Sequence, residues 1–105
     1  MDFEVFLSPD ALIDLERVVT FIALENRLAA EKIGNQLLDA ALSLRTFPER
    51  GRVVPEFGLS HLRELVFRSY RIIYRLNSEL HRVEVVRFWH GARGFPQIPR
   101  RRRPE

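Results

Sequence analysis

Cysteine is absent from the 105 residues. No disulfide framework can form, and no site can be built on thiolate ligands. That absence fits a reducing compartment and makes the cytoplasm the expected location. Long apolar runs are missing as well. No stretch approaches the ~18 consecutive apolar residues of a transmembrane helix, so no membrane partner is expected. The opening residues MDFEVFLSPD have no basic segment followed by an apolar one, so no signal peptide is expected. The three histidines, His61, His81 and His90, show no metal-ligand spacing. No metal and no cofactor are expected.

Lysine is nearly absent too. Lys32 is the one lysine among 17 basic residues, and the rest are arginine. Arginine is the better residue for bidentate contacts to phosphate and carboxylate. High genomic GC content produces the same bias, so the distribution of charge is more informative. Residues 1–50 carry a net charge of −4 and residues 51–105 a net charge of +7, within an overall +3. A basic second half suits a polyanion or an acidic partner protein.

A chain of this length is one domain, able to bury about 65% of its unfolded surface. Asp2 to Leu7 alternates as a short strand. Ser8-Pro9-Asp10 then opens a helix, with Ser8 as cap, Pro9 at the first helical position and Asp10 at the positive end of the dipole. That helix is expected to run from Pro9 to about Glu25, burying Leu12, Leu15, Val19 and Ile22 with Val18 beside them. A second helix is expected from about Leu28 to Leu44, on Ile33, Leu37, Ala41 and Leu44 with Ala30 and Leu38. Gly34 inside it costs roughly 1 kcal/mol relative to alanine, and a close helix crossing would explain it. The short link predicts an antiparallel helical hairpin.

Pro48 and Gly51 end the helical part, and a loop follows to Gly58 with Val53, Val54 and Phe57 available to pack. Three strands are expected next, at Leu62–Arg68, Tyr70–Leu76 and Arg82–His90, with a turn at Asn77-Ser78-Glu79. The order is β-α-α-β-β-β. The fold class is therefore α+β, a helical hairpin packed on one face of a small antiparallel sheet, the other face left for solvent or a partner. Arginine recurs on these strands at Arg63, Arg68, Arg71, Arg75, Arg82, Arg87 and Arg93. Tyr70, Tyr74, Phe88 and Trp89 are interleaved with them, as in a plain nucleic-acid-binding module. Each of these residues also has a structural reading. Glu64 pairs with a neighbouring arginine, His90 makes a structural hydrogen bond, Phe88 and Trp89 lie in the core, and Arg71 and Arg75 are solvated.

The ordered motifs carry a resemblance. They are Leu44, Phe47-Pro48, Gly51-Arg52, Leu62-Arg63-Glu64-Leu65, Tyr70-Arg71-Ile72-Ile73-Tyr74 and His90-Gly91-Ala92-Arg93. Residues 1–95 resemble a toxin domain of the RelE/ParE superfamily of bacterial type II toxins. Residues 96–105, with Arg100–Arg103, would be a basic, disordered tail. The resemblance implies a toxin held in check by a cognate antitoxin, in one of two branches. RelE-like members are ribosome-dependent mRNA endoribonucleases. ParE-like members inhibit DNA gyrase by binding it and need no catalytic residue.

On the ribonuclease branch, Arg71 and Arg93 match phosphate-binding arginines, and Glu64 and His90 are the candidate proton carriers. That branch also carries lysines on the strand that here reads RELVF, and a tyrosine beyond the last strand. This chain has neither. The residues missing are those that move protons, so the resemblance favours the ParE-like branch, with a gyrase-facing surface sought on Arg17, Glu25 and Arg27 or on the basic tail. Arg63, Arg71, Arg75 and Arg93 would then bind the antitoxin's carboxylates or another polyanion. That antitoxin is expected to be acidic in its C-terminal part.

Overall fold

The elements follow from their local chemistry. A computed structural model describes residues 2–99. Strand β1 spans Glu4–Leu7. Helix α1, Pro9–Ala23, starts where the Ser8 hydroxyl accepts the Ala11 N–H, with proline in its first turn. Helix α2, Arg27–Leu42, starts at Asn26, whose side chain accepts the Ala29 N–H, and a single 3-10 turn at Ser43–Arg45 follows it. A two-residue strand β2 at Arg52–Val53 lies in the segment expected to be loop. Strands β3, Leu62–Phe67, β4, Tyr70–Asn77, and β5, Arg82–His90, follow, and a 3-10 turn at Gly91–Arg93 closes the series.

The α+β class and the order of elements hold, and one correction concerns the sheet. Its strand order is β1-β5-β4-β3-β2. β2 to β5 pair antiparallel, but β1 pairs parallel with β5, Glu4 opposite Arg82 and Leu7 opposite Val85. The sheet is mixed. Both helices and three strands intervene between β1 and β5, so the two meet across a long connection and not through a hairpin.

Beyond Leu7 the edge of β5 is satisfied by α1 itself. The Ser8 N–H and hydroxyl donate to the carbonyls of Val85 and Val86, and the Asp14 carboxylate accepts the Phe88 N–H at 3.0 Å. Asp14 is 4% exposed. Leu15 and Val18 pack on the core as expected, but the stripe is shifted at its start: Ala11 and Asp14 are buried and Leu12 is 52% exposed.

The helices cover one face of the sheet. Ala11, Leu37, Ala41 and Leu44 meet Ile72, Tyr74, Val83, Val85 and Phe88. Burying one such aliphatic or aromatic side chain is worth about 1.5–3 kcal/mol. Pairing between β4 and β5 shifts at Ile73/Tyr74, which face Arg87 and Val85 and leave Val86 as an extra residue. This bulge lets Val85 and Phe88 face the helices while Val86 and Trp89 face the other side.

That other side is not left to solvent. Val54, Leu62, Ile73, Val86 and Trp89 form a second core, covered by Phe57 and Ile98. Pro96 is fully buried. The Trp89 indole N–H donates to the Gly94 carbonyl at 3.2 Å, Arg87 to the Gln97 carbonyl at 3.0 Å, and Arg75 to the Pro99 carbonyl. Residues 96–99, expected to start a disordered tail, thus pack on the sheet. Apolar Pro96 and Ile98 fit a second core that the alternation of β3 to β5 had already half built. Arg100–Arg103 lie outside the described residues.

Candidate functional site

Alternation on β3 and β4 puts Glu64 and Arg71 on the face away from the helices. Glu64 is 1% exposed. One of its oxygens accepts Arg71 Nε at 2.6 Å and the other accepts Arg52 Nε at 2.7 Å. The two terminal nitrogens of Arg71 donate to Glu56 at 2.7 and 2.6 Å. Arg71 is thus bonded to carboxylates through all three nitrogens. The guanidinium holds Glu56 down to about 2, and the two carboxylates raise Arg71. A buried carboxylate left unpaired is strongly destabilising, and the two arginines prevent that at Glu64.

The neighbouring arginines are engaged as well. Arg75 pairs with Glu84 at 3.3 Å. Arg63 donates from Nε to the Ser60 carbonyl and from Nη1 to the Gly51 carbonyl, both at 3.0 Å, and so ties β3 to the turn before β2. Arg87 pairs with Asp14 through Nε at 2.7 Å and Nη2 at 2.8 Å, which raises the Arg87 pKa. Arg93 is exposed, and its guanidinium lies 4.0 Å from the centre of the Trp89 ring, with Arg87 at 4.8 Å from that ring.

His90 points elsewhere. Its Nδ1 accepts the Ala92 N–H at 3.1 Å, and its ring meets Tyr70 edge-on at 5.1 Å. Tyr70 packs against the helix-side core, and burial pushes its hydroxyl pKa up. Of the four residues matched to a ribonuclease, Glu64 and Arg71 are in contact, Arg93 lies over Trp89 on the same face, and His90 is on the opposite face. Among the described residues, no three His, Asp or Glu side chains converge to hold a metal ion, and no helix is long and apolar enough to cross a membrane.

Two partners here escaped the sequence reading. Asp14 interrupts the apolar stripe of α1, and a charge on a buried stripe is the signal that would have found it. Glu56 sits in a turn with no periodicity, and nothing in the sequence marks it.

Residues 5–95 match the family model described as the ParE toxin of the type II toxin–antitoxin system parDE. The chain belongs to this toxin family. It lies within the RelE/ParE superfamily, as the ordered motifs had suggested. Toxin RelE2 of Caulobacter vibrioides is 39% identical to this ParE-family chain over 84 residues, which cover 79% of the chain and 89% of that toxin. Among solved structures, the chromosomal ParDE system of P. aeruginosa matches with a TM-score of 0.68 at 14% identity, over 84% of this chain and 95% of that one. The RelBE2 toxin–antitoxin complex of Mycobacterium tuberculosis matches with a TM-score of 0.66 at 21% identity, over 86% and 99%. E. coli toxin RelE, as a mutant in the free state, matches at 0.54 and 17%, over 90% and 88%. These structures share the ParE-family fold at low identity.

Proposed function

We propose that this type II toxin acts as a ParE-like inhibitor of DNA gyrase, by binding and without chemistry of its own, and that a cognate antitoxin neutralises it. One observation carries the reading. Arg71, the match to a nuclease's phosphate-binding arginine, is bonded to Glu64 and Glu56 through every nitrogen. A phosphorane would have to displace two carboxylates to reach it. Glu64 cannot take a 2′-hydroxyl proton while both its oxygens are engaged and its side chain is buried. The same pairing argues against a plain nucleic-acid-binding module, because Arg52, Arg71, Arg75, Arg82 and Arg87 already carry carboxylate partners.

The relative named Toxin RelE2 favours the second reading, a RelE-like ribosome-dependent endoribonuclease. The two separate cleanly in cells. Thymidine and amino-acid incorporation are followed for minutes after this chain alone is induced. An early fall in DNA synthesis with continuing protein synthesis is expected. An early fall in protein synthesis would overturn the gyrase reading and make Glu64, Arg71, His90 and Arg93 the first residues to substitute. Both targets are cytoplasmic, so the cytoplasm is the proposed site of action.

A further inference from the structure

The segment that covers the second core leads into a groove. Residues 94–99 run back along β5 on the face away from the helices. Trp89 holds the Gly94 carbonyl, Arg87 the Gln97 carbonyl and Arg75 the Pro99 carbonyl. Ile98 and Pro99 then form part of the wall of an open groove of about 1190 Å³. The rest of the wall comes from the β1–α1 junction, the loop before β3 and the β4–β5 turn. Phe6, Leu59 and Leu80 line it and stay 42%, 46% and 57% exposed, so the groove is not filled by the described residues.

Its charge selects the occupant. His61 aside, the charged side chains lining it are Asp10, Glu79 and Glu84 against Arg75 and Arg82. Arg75 pairs with Glu84, and Arg82 with Glu4. Asp10 and Glu79 are exposed and, among the described residues, make no salt bridge. The charge left uncompensated is therefore negative. It repels nucleic acid and an antitoxin segment of acidic character, and it suits a basic one.

The chain supplies such a segment itself. Four consecutive arginines, Arg100–Arg103, follow directly on Pro99. With the Pro99 carbonyl held by Arg75, the backbone of those four residues reaches no further than ~14 Å. The run starts at the groove wall and stays near it. A single exposed ion pair is weak, but a short tether holds the arginines at an effective concentration of about millimolar. The same run on a second copy has the charge and lacks the tether.

We propose that this groove is the docking site of the chain's own Arg100–Arg103 run, whose guanidinium groups pair with Asp10 and Glu79 and are thereby withheld from polyanions. The inference is independent of whether gyrase or the ribosome is the target. It turns the most basic stretch of the sequence from a free arm into a masked one.

The absence of native cysteine makes an introduced pair a clean reporter. Leu80→Cys/Pro104→Cys is made in the full chain, and the effective concentration of the two thiols is read from their equilibrium with hydroxyethyl disulfide. Replacing all four arginines with Gln, or adding Asp10→Asn/Glu79→Gln, is expected to lower it at least fivefold. Salt at 1 M, where the Debye length is about 3 Å, should lower it likewise. Should Asp10→Asn disturb the start of α1, Glu79→Gln alone decides, with at least a twofold loss expected. A value unchanged in folded variants overturns the proposal and leaves the groove to a partner protein such as the antitoxin. Disulfides that join two copies, where one chain should close on itself, overturn it in favour of a dimer. The masking is read by affinity for a short DNA duplex. Asp10→Asn/Glu79→Gln is expected to bind at least threefold tighter than Glu25→Gln/Glu31→Gln, which makes the same change in net charge on the helical hairpin. Equal affinity overturns the proposal too.

Discussion

Glu56 closes both terminal nitrogens of Arg71, at 2.7 and 2.6 Å, from the turn between β2 and β3. The pair joins a segment with no strand pairing of its own to the centre of the sheet. Its partner Glu64 holds the third nitrogen from β3. The arginine-rich face is therefore an internal ion-pair network that fastens loops, where the sequence had offered it as an open cationic surface.

Replacing Glu56 with Gln should cost about 1 kcal/mol at neutral pH, the upper range for a partly exposed pair. The effect has a defined pH window. The folded carboxyl is depressed to about 2 from an ordinary 4.5. Its contribution is therefore complete above the unfolded value and is lost as pH falls through the folded one. Urea unfolding of the parent and Glu56→Gln should differ at pH 7, converge between 4.5 and 2, and coincide below that. A gap that persists undiminished below the folded value would mean that Glu56 acts through packing and not through charge.

Tyr74 holds the turn before β2. Its hydroxyl donates to the Pro48 carbonyl at 2.6 Å and accepts the Gly51 N–H at 3.0 Å. Phenylalanine at this position leaves a buried donor and a carbonyl unsatisfied, a loss of about 1–3 kcal/mol. Melting should fall by about 4–8 °C per kcal/mol lost in a domain of this size. Gly51→Ala should be worse. A Cβ there would lie 2.5 Å from the Tyr74 hydroxyl and 2.6 Å from the Glu64 carbonyl oxygen, and that carbonyl is fixed in the β2–β3 ladder.

Asp14 is buried against both Arg87 and the Phe88 N–H. Asp14→Ala strands a guanidinium and an edge amide at once, and about 3–5 kcal/mol should be lost in urea unfolding. Asn keeps an acceptor for the amide and should cost less. Hydrogen exchange separates the two roles. The Phe88 amide should lose protection in Asp14→Ala and keep most of it in Asp14→Asn.

The residues that declared themselves in the sequence are those whose role is set by near neighbours. The alternation of Arg82–His90 fixed both ends of β5, and Ile33, Leu37 and Ala41 fixed the face of α2, with Leu44 continuing it in the 3-10 turn that follows. Glu64 pairing with arginine, His90 in a structural hydrogen bond and Trp89 in the core were each readable from position. What escaped depends on distant partners. β1 alternates like any edge strand, and its parallel pairing is decided by β5, more than 70 residues away. β2 is two residues long and has no period to detect. The second core takes Val54 and Phe57, expected to pack from their loop, but also Ile98, from a segment where proline and glycine read as breakers. Arg71, Arg75 and Arg87 look free in a strand and are paired only once Glu56, Glu84 and Asp14 arrive from other elements.

Gly34 tests whether the two helices are held at a distance that only glycine permits. A Cβ at this position would lie 2.8 Å from Val19 Cγ2, closer than carbon atoms approach without moving. In an open helix face, Gly→Ala would stabilise by about 1 kcal/mol through backbone entropy. Here the Val19 methyl must move, and overpacking costs about 1–3 kcal/mol. Gly34→Ala should therefore be neutral to destabilising on its own. Once Val19→Ala has removed the methyl, the same change should become stabilising by up to about 1 kcal/mol. A double-mutant cycle by urea unfolding measures that reversal of sign directly. Equal effects of Gly34→Ala in the two backgrounds would mean that the crossing has slack, and that Gly34 answers to something other than Val19.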